Sequence, residues 1–184
     1  MGDQLPRCRY SIDKHDLIEM VDETWLAFAR ENGAARLTRD RVIGKSLWSF
    51  IQGNATRQFY EAIFENVRQQ SGIAVVPFRC DSPNLLREMR LIGKAGDDDA
   101  IHLEGILCRV QLTRYLHLLD ARARRSREKL TICSLCKRTL VEPMGWIEMS
   151  ETAVQLRLYG DRLQPKVTYS LCPACVLHAH PSPC

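Results

Sequence analysis

No stretch of the chain approaches the ~20 uninterrupted apolar residues that a bilayer-spanning helix needs, so no membrane association is expected. Met1 to Tyr10 is polar and lacks an apolar core, so no secretory signal is visible. Glycine-rich phosphate loops are missing, as are G-x-S-x-G and H-E-x-x-H. No C-x-x-C-H occurs, which removes c-type haem attachment. His15, His102 and His117 are scattered, and the acidic run Asp97 to Asp99 reads as a solvated turn. No catalytic constellation emerges, and the chain is not expected to be an enzyme.

Charge of either sign is also in short supply as an excess. The formal net charge is +4, too mild to imply nucleic-acid binding by itself. Most of the excess sits in one place: Arg122, Arg124, Arg125, Arg127 and Lys129. That run is either a solvated face or a patch for nucleic acid or an acidic partner. Hydrophobic residues make up 45% of the 184 positions, the composition of an ordinary soluble domain.

What is present first is an alternation of short apolar runs. Arg9 to Asp13 and Leu17 to Val21 are strand candidates. Asp22 is placed to cap a helix that carries Trp25, Leu26, Phe28 and Ala29, and Asn32-Gly33 stops it. Val42 to Ile51 carries a second short helical pattern, interrupted by Gly44. Asn54 or Thr56 opens a third helix in which Phe59, Ile63, Phe64 and Val67 share a face. Ile73 to Cys80, Leu86 to Ile92 and Ile101 to Leu112 then read as strands joined by turns, an antiparallel meander. Strands beside a run of helices predict an α+β domain, with five antiparallel strands and helices covering one face.

From Leu112 the pattern changes. Leu112, Leu116, Leu119, Ala123, Ser126 and Leu130 recur at alternating steps of four and three. This spacing predicts a connecting helix, either docked on its own sheet or forming a short dimerising seam.

Cys133, Cys136, Cys172 and Cys175 follow as two C-x-x-C pairs. With no signal peptide, the expected compartment is the reducing cytoplasm, where disulfides are disfavoured. Two residues between ligands let one tight turn present two sulfurs to one ion, and four thiolates satisfy tetrahedral zinc. A single iron and a redox dithiol pair are the competing readings. A segment of about 50 residues has little core of its own, and a structural metal supplies the missing folding energy. Four protein ligands leave no open coordination position, so the expected site is structural. His178 and His180 are read as surface residues of the tail.

The stretch from Tyr10 to about Thr113 resembles a PAS sensory domain of bacterial signalling proteins. The runs LIEMVDETWLAFARENGA, VIGKSLWSFI and FRCDSPNLLREMRLIG carry the likeness. The C-terminal part is similar to a cysteine-rich module that follows PAS or receiver domains, through ICSLCKR, Gly145-Trp146 and LCPAC. That module usually reads G-x-W, with Ser-His before its second pair, where this chain has Thr168-Tyr169-Ser170. The resemblance implies a sensory domain over 8–113, a connecting helix over 114–130 and a zinc-ribbon-like, four-cysteine module over 131–184. It implies a pocket for a small ligand, with Trp25, Phe28, Trp48, Phe59 and Phe64 as lining candidates. The Asn-Cys pair of flavin photosensors and the helix histidine of haem sensors are absent. The expected function is a sensor or adaptor, working as a homodimer with a protein signalling partner. The alternatives are a nucleic-acid-binding regulator using the basic run, and a redox or cofactor sensor.

Overall fold

The structure is a computed structural model and describes residues 7–70, 72–160 and 162–177. The chain forms two compact units. The first takes in the chain up to Gln52, Arg57–Pro77 and Met89–Cys108. The second takes in Gly53–Thr56, Phe78–Glu88 and the chain from Arg109 onward.

The first unit begins with an antiparallel pair, β1 (Arg7–Ile12) and β2 (Ile18–Val21). Asp13 closes the turn between them: its carboxylate accepts from the amides of His15 and Leu17, each at 2.8 Å. In α1 (Glu23–Glu31) the Asp22 side chain accepts from the Trp25 amide at 2.7 Å, the expected cap. Gly33, at φ +78°, takes the left-handed conformation that ends the helix. The helical pattern expected over Val42 to Ile51 resolves into α2 (Arg39–Val42) and a single 3-10 turn, Leu47–Ser49. Gly44 between them has φ +72°, which a helix cannot accommodate.

The long helix α3 (Asn54–Gln70) buries Phe64 and Val67, both 2% exposed. Then come β3 (Ile73–Arg79), β4 (Leu85–Ala95) and β5 (Ile101–Leu112). The five strands form one antiparallel sheet in the order β2-β1-β5-β4-β3. Alternation decides which face is the core: Met89 and Leu91 are buried, while Glu88 and Arg90 beside them are exposed. The α+β class and the five antiparallel strands agree with the sequence reading. Among the described residues, no helix is long and apolar enough to cross a membrane.

The second unit contains a four-stranded sheet. Its strands are β6 (Arg125–Cys133), β7 (Thr139–Val141), β8 (Gly145–Ile147) and β9 (Gln164–Ser170), in the order β8-β7-β6-β9. β6 pairs antiparallel with β7 but parallel with β9. The helix α4 (Met149–Gln155) lies in the crossover between β8 and β9, which run in the same direction, and α5 (Pro173–Leu177) ends the described chain. Leu118, Ile132 and Met149, each 1% exposed, sit at the centre of this unit's core.

The connecting helix expected over 114–130 does not form. His117–Leu119 is a single 3-10 turn, and Arg125 already belongs to β6. The leucines of the expected seam do not share a face: Leu112 is 77% exposed, whereas Leu116 and Leu130 are 6% and 5% exposed. The physical reason is tertiary. β6 lies between β7 and β9, so its backbone groups pair on both sides, and Leu130 and Ile132 alternate into the core. Arg125 reinforces the extended path by donating to the carbonyls of Leu118, Asp120 and Pro165 at 3.0, 2.8 and 3.2 Å.

This arrangement separates two substitutions that a heptad seam would make equivalent. Leu130→Ala should destabilise the second unit by about 2–5 kcal/mol in urea denaturation, as for a buried leucine. Leu112→Ala should stay within about 0.5 kcal/mol of the unsubstituted protein. Comparable losses at both positions would restore the helix.

Candidate metal centre

The parallel pairing of β6 and β9 places Cys133 directly beside Ser170. Both strands therefore end at the same place, and each releases one C-x-x-C turn there. A 2.8 Å hydrogen bond from the Ser134 amide to the Ser170 carbonyl ties the two turns together. All four sulfurs lie within 4.8 Å of one another, and Cys136 Sγ is 3.6 Å from Cys172 Sγ. Sulfurs at ~2.3 Å from a tetrahedral zinc are about 3.8 Å apart, so the cluster has the size of a four-thiolate site.

The local backbone explains why the sulfurs converge. After Cys136, Lys137 adopts φ +62°, which folds the chain back so that β7 can begin. The turn is closed by the Lys137 amide donating to Cys133 O at 3.1 Å and the Cys133 amide donating to Arg138 O at 2.7 Å. Amides are aimed at sulfur: the Leu135 and Cys136 N–H groups of this turn point at Cys133 Sγ, and the Cys172 N–H reaches it from the second turn at 3.4 Å. The Arg138 amide points at Cys136 Sγ. In the second turn, Cys172 precedes α5 and Cys175 lies within it, with the Val176 amide donating to Cys172 O at 3.1 Å. Backbone donors aimed at sulfur stabilise thiolate, the form that binds metal.

Cys133, Cys136 and Cys175 do not ionise alike. Burial works to raise the Cys133 thiol, but the three amides outweigh it and bring it down to about 7. Burial pushes Cys136 up to about 11, with the neighbouring Cys133 and Cys172 sulfurs adding to the rise. Burial raises Cys175 further still. Crowded thiols that resist ionising together are what a divalent cation stabilises, because the ion supplies the missing positive charge. The donor set and its amide network thus fit a metal ion, with all four ligands from the chain.

A second layer holds the first turn. The Arg79 amide donates to Leu135 O at 2.7 Å, and its guanidinium reaches Cys136 O at 3.1 Å and Glu148 at 2.8 Å. Arg138 meets the same Glu148 at 3.1 Å. Burial disfavours the charged Glu148 carboxylate, but the two arginines prevail and hold it below the usual range. The Thr56 and Ser134 hydroxyls share a 2.6 Å hydrogen bond, and Lys137 Nζ donates to Ser134 O at 2.8 Å. Arg79, whose guanidinium also pairs with Asp81 at 2.5 Å, and the helix-opening Thr56 were not singled out from sequence as parts of this site; no local spacing links them to the cysteines.

The other sequence candidates fall elsewhere. Trp48 and Phe64 have ring centroids 5.8 Å apart, and Phe59 stacks edge-on against Tyr60 at 5.1 Å. Trp25 and Phe28 lie on α1, both half-buried. In the basic run, Arg125 is consumed by backbone carbonyls and Arg122 by Asp120 at 3.4 Å. Arg124, Arg127 and Lys129 remain exposed. Cys80 is kept protonated by burial, the opposite of an activated thiol. His178 and His180 lie outside the described residues.

Metal binding requires thiolates, so protons compete with the ion, most strongly at the thiols whose affinity for protons burial has raised. Titration from about pH 8 to about pH 5 should release the ion, followed with a chromogenic chelator. The same loss should appear at neutral pH in Cys133→Ser and Cys172→Ser. With an apparent binding free energy on the order of 10 kcal/mol at stake, chelation should unfold the second unit by circular dichroism. Retention of native dichroism after complete metal removal would show that the cluster does not support the fold.

No protein-family profile and no curated protein sequence matches this chain, so what the centre does rests on its own residues.

Proposed function

We propose that this chain is a PAS-like sensor or adaptor, whose second unit is a ribbon-like docking module built around structural zinc. The observation that carries the reading is the closed set of four sulfurs within 4.8 Å, each turn presenting two of them. A site whose ligands all come from the chain offers no position for a substrate or an activated water. Its contribution is to folding, and what it folds is a small unit with few means of its own to stay ordered. Zinc is favoured over iron because thiolates alone satisfy it and it brings no redox chemistry to a site that needs none. The five-stranded antiparallel sheet with helices supports the sensory part of the reading, together with the motif resemblance of 8–113. No catalytic role is assigned to any residue; output passes through a protein partner, in a cytoplasmic homodimer.

The test is affinity capture from the source cell with the native protein and with Cys133→Ser, each checked for a folded first unit. Elemental analysis should give one zinc per native chain. A defined partner should be retained by the native protein and lost with the variant. An identical captured set with and without the metal centre would sink the docking role.

One observation favours a second reading, a nucleic-acid-binding regulator. Lys129 of β6 and Lys166 of β9 stand directly opposite each other in register, both exposed. Like charges facing across strands repel, and neither lysine has an ion-pair partner among the described residues. Arg127, also exposed, lies two residues before Lys129 on β6. A polyanion would relieve this repulsion, with affinity falling linearly in log–log salt titration. Charge reversal as Lys129→Glu and Lys166→Glu should then abolish retention of duplex DNA at low salt. Absence of retention by the native protein would remove this reading.

A further inference from the structure

The five-stranded sheet is open, with β2 at one edge and β3 at the other. Unpaired backbone groups along an edge are a template for another strand, so edges are ordinarily covered, charged or broken. The β2 edge is covered. The Ile18 amide donates to Lys45 O at 2.9 Å, and the Gly44 amide donates to Ile18 O at 2.7 Å. Glu19 adds an exposed charge there. The first half of β3 has no such protection. From Gly72 to Phe78 no residue is charged. Ile73 and Val75, both β-branched, are 64% and 53% exposed.

The hairpin register fixes which backbone groups of β3 face outward. Ser82 and Leu85 exchange hydrogen bonds at 2.9 and 3.3 Å, and the Cys80 amide donates to Arg87 O at 3.0 Å. Continued along β3 by the two-residue period of an antiparallel ladder, this register turns the amides of Ala74, Val76 and Phe78 toward β4. The same count brings Leu91 opposite Val76, and both are buried. The Arg79 amide points the other way, donating to Leu135 O at 2.7 Å. Pro77 has no amide to donate, and proline inside a sheet takes a position that faces the open edge. The N–H and C=O groups of Ile73 and Val75 therefore face outward as well. No strand among the described residues pairs with that edge.

A second copy of the strand matches this window. With the two strands antiparallel and centred on Ala74, Ile73 stands opposite Val75 of the second copy, and Val75 opposite Ile73. Each pair exchanges both of its hydrogen bonds. Two β-branched apolar side chains meet twice, and no like charges are brought together. Centred on Val75 instead, Ile73 would meet Pro77, which cannot donate.

We propose that β3 pairs edge to edge with β3 of a second copy of this chain, antiparallel about a twofold axis at Ala74. The contact is isologous, one strand supplying both halves. Two short edges bury little surface, so the pairing belongs to the weak, concentration-dependent class. This assignment rests on the homodimer reading above and names the surface that forms it.

The test uses the full chain in solution. Sedimentation equilibrium should give a mass that rises from 21.1 kDa toward twice that value as the concentration reaches the high micromolar range. Over the same series, amide exchange followed by NMR should slow severalfold at Ile73 and Val75. It should stay constant at Ala74 and Val76, whose amides already bond to β4. Ile73→Lys combined with Val75→Lys sets lysine opposite lysine twice and should hold the chain at the monomer mass throughout. A native chain that stays monomeric overturns the edge pairing and the homodimer reading together. A dimer without slowed exchange at Ile73 and Val75, or one that survives both lysines, overturns the edge pairing and leaves the homodimer standing. Slowing at Val75 alone overturns the alignment on Ala74. Because exchange is read on the unsubstituted chain, a variant that fails to fold does not decide the result.

Discussion

The parallel pairing of β6 with β9 is the contact on which the second unit depends. In an antiparallel pair the two strands would deliver their cysteine turns to opposite ends of the sheet. In parallel register, Cys133 stands beside Ser170, and both turns leave the sheet at one edge. A parallel connection needs a long crossover, and β7, β8 and α4 provide it. The four sulfurs converge because of that crossover; the short spacing within each pair only sets how two of them approach.

The four-cysteine cluster and the core beneath it then support each other. Leu130 and Ile132 anchor β6 in the apolar core, which fixes the strand that ends in Cys133. The Leu135 and Cys136 amides reach Cys133 Sγ within the turn that Lys137 closes, and the Cys172 amide reaches it from the other turn. An ion in such a site replaces the mutual repulsion of crowded thiolates with attraction. Arg79 and Glu148 extend the order outward, from the first cysteine turn to the hairpin and to the start of α4. These contacts make the centre a keystone for several segments that are distant in sequence.

The first unit was largely legible because its signals are local. Asp22 caps α1 through a single side-chain bond to Trp25, and Gly33 and Gly44 break helices through their own φ angles. The strand after Asn84 shows its core face through simple alternation. The leucine series from Leu112 to Leu130 misled for the complementary reason. Its spacing is a helical pattern, but Arg125 to Cys133 has two neighbouring strands to pair with, and that demand outweighs a weak local preference.

By itself, the sequence determined the α+β class, the run of turns and caps, and the four thiols able to share an ion. Each of these depends on residues a few positions apart, where covalent geometry dictates what can meet. Tertiary structure alone decided that the chain beyond Leu112 turns into a sheet and that the two cysteine turns emerge side by side. Those outcomes depend on contacts between residues far apart in the chain, and such contacts form only when the whole set of buried surfaces and backbone hydrogen bonds is satisfied together.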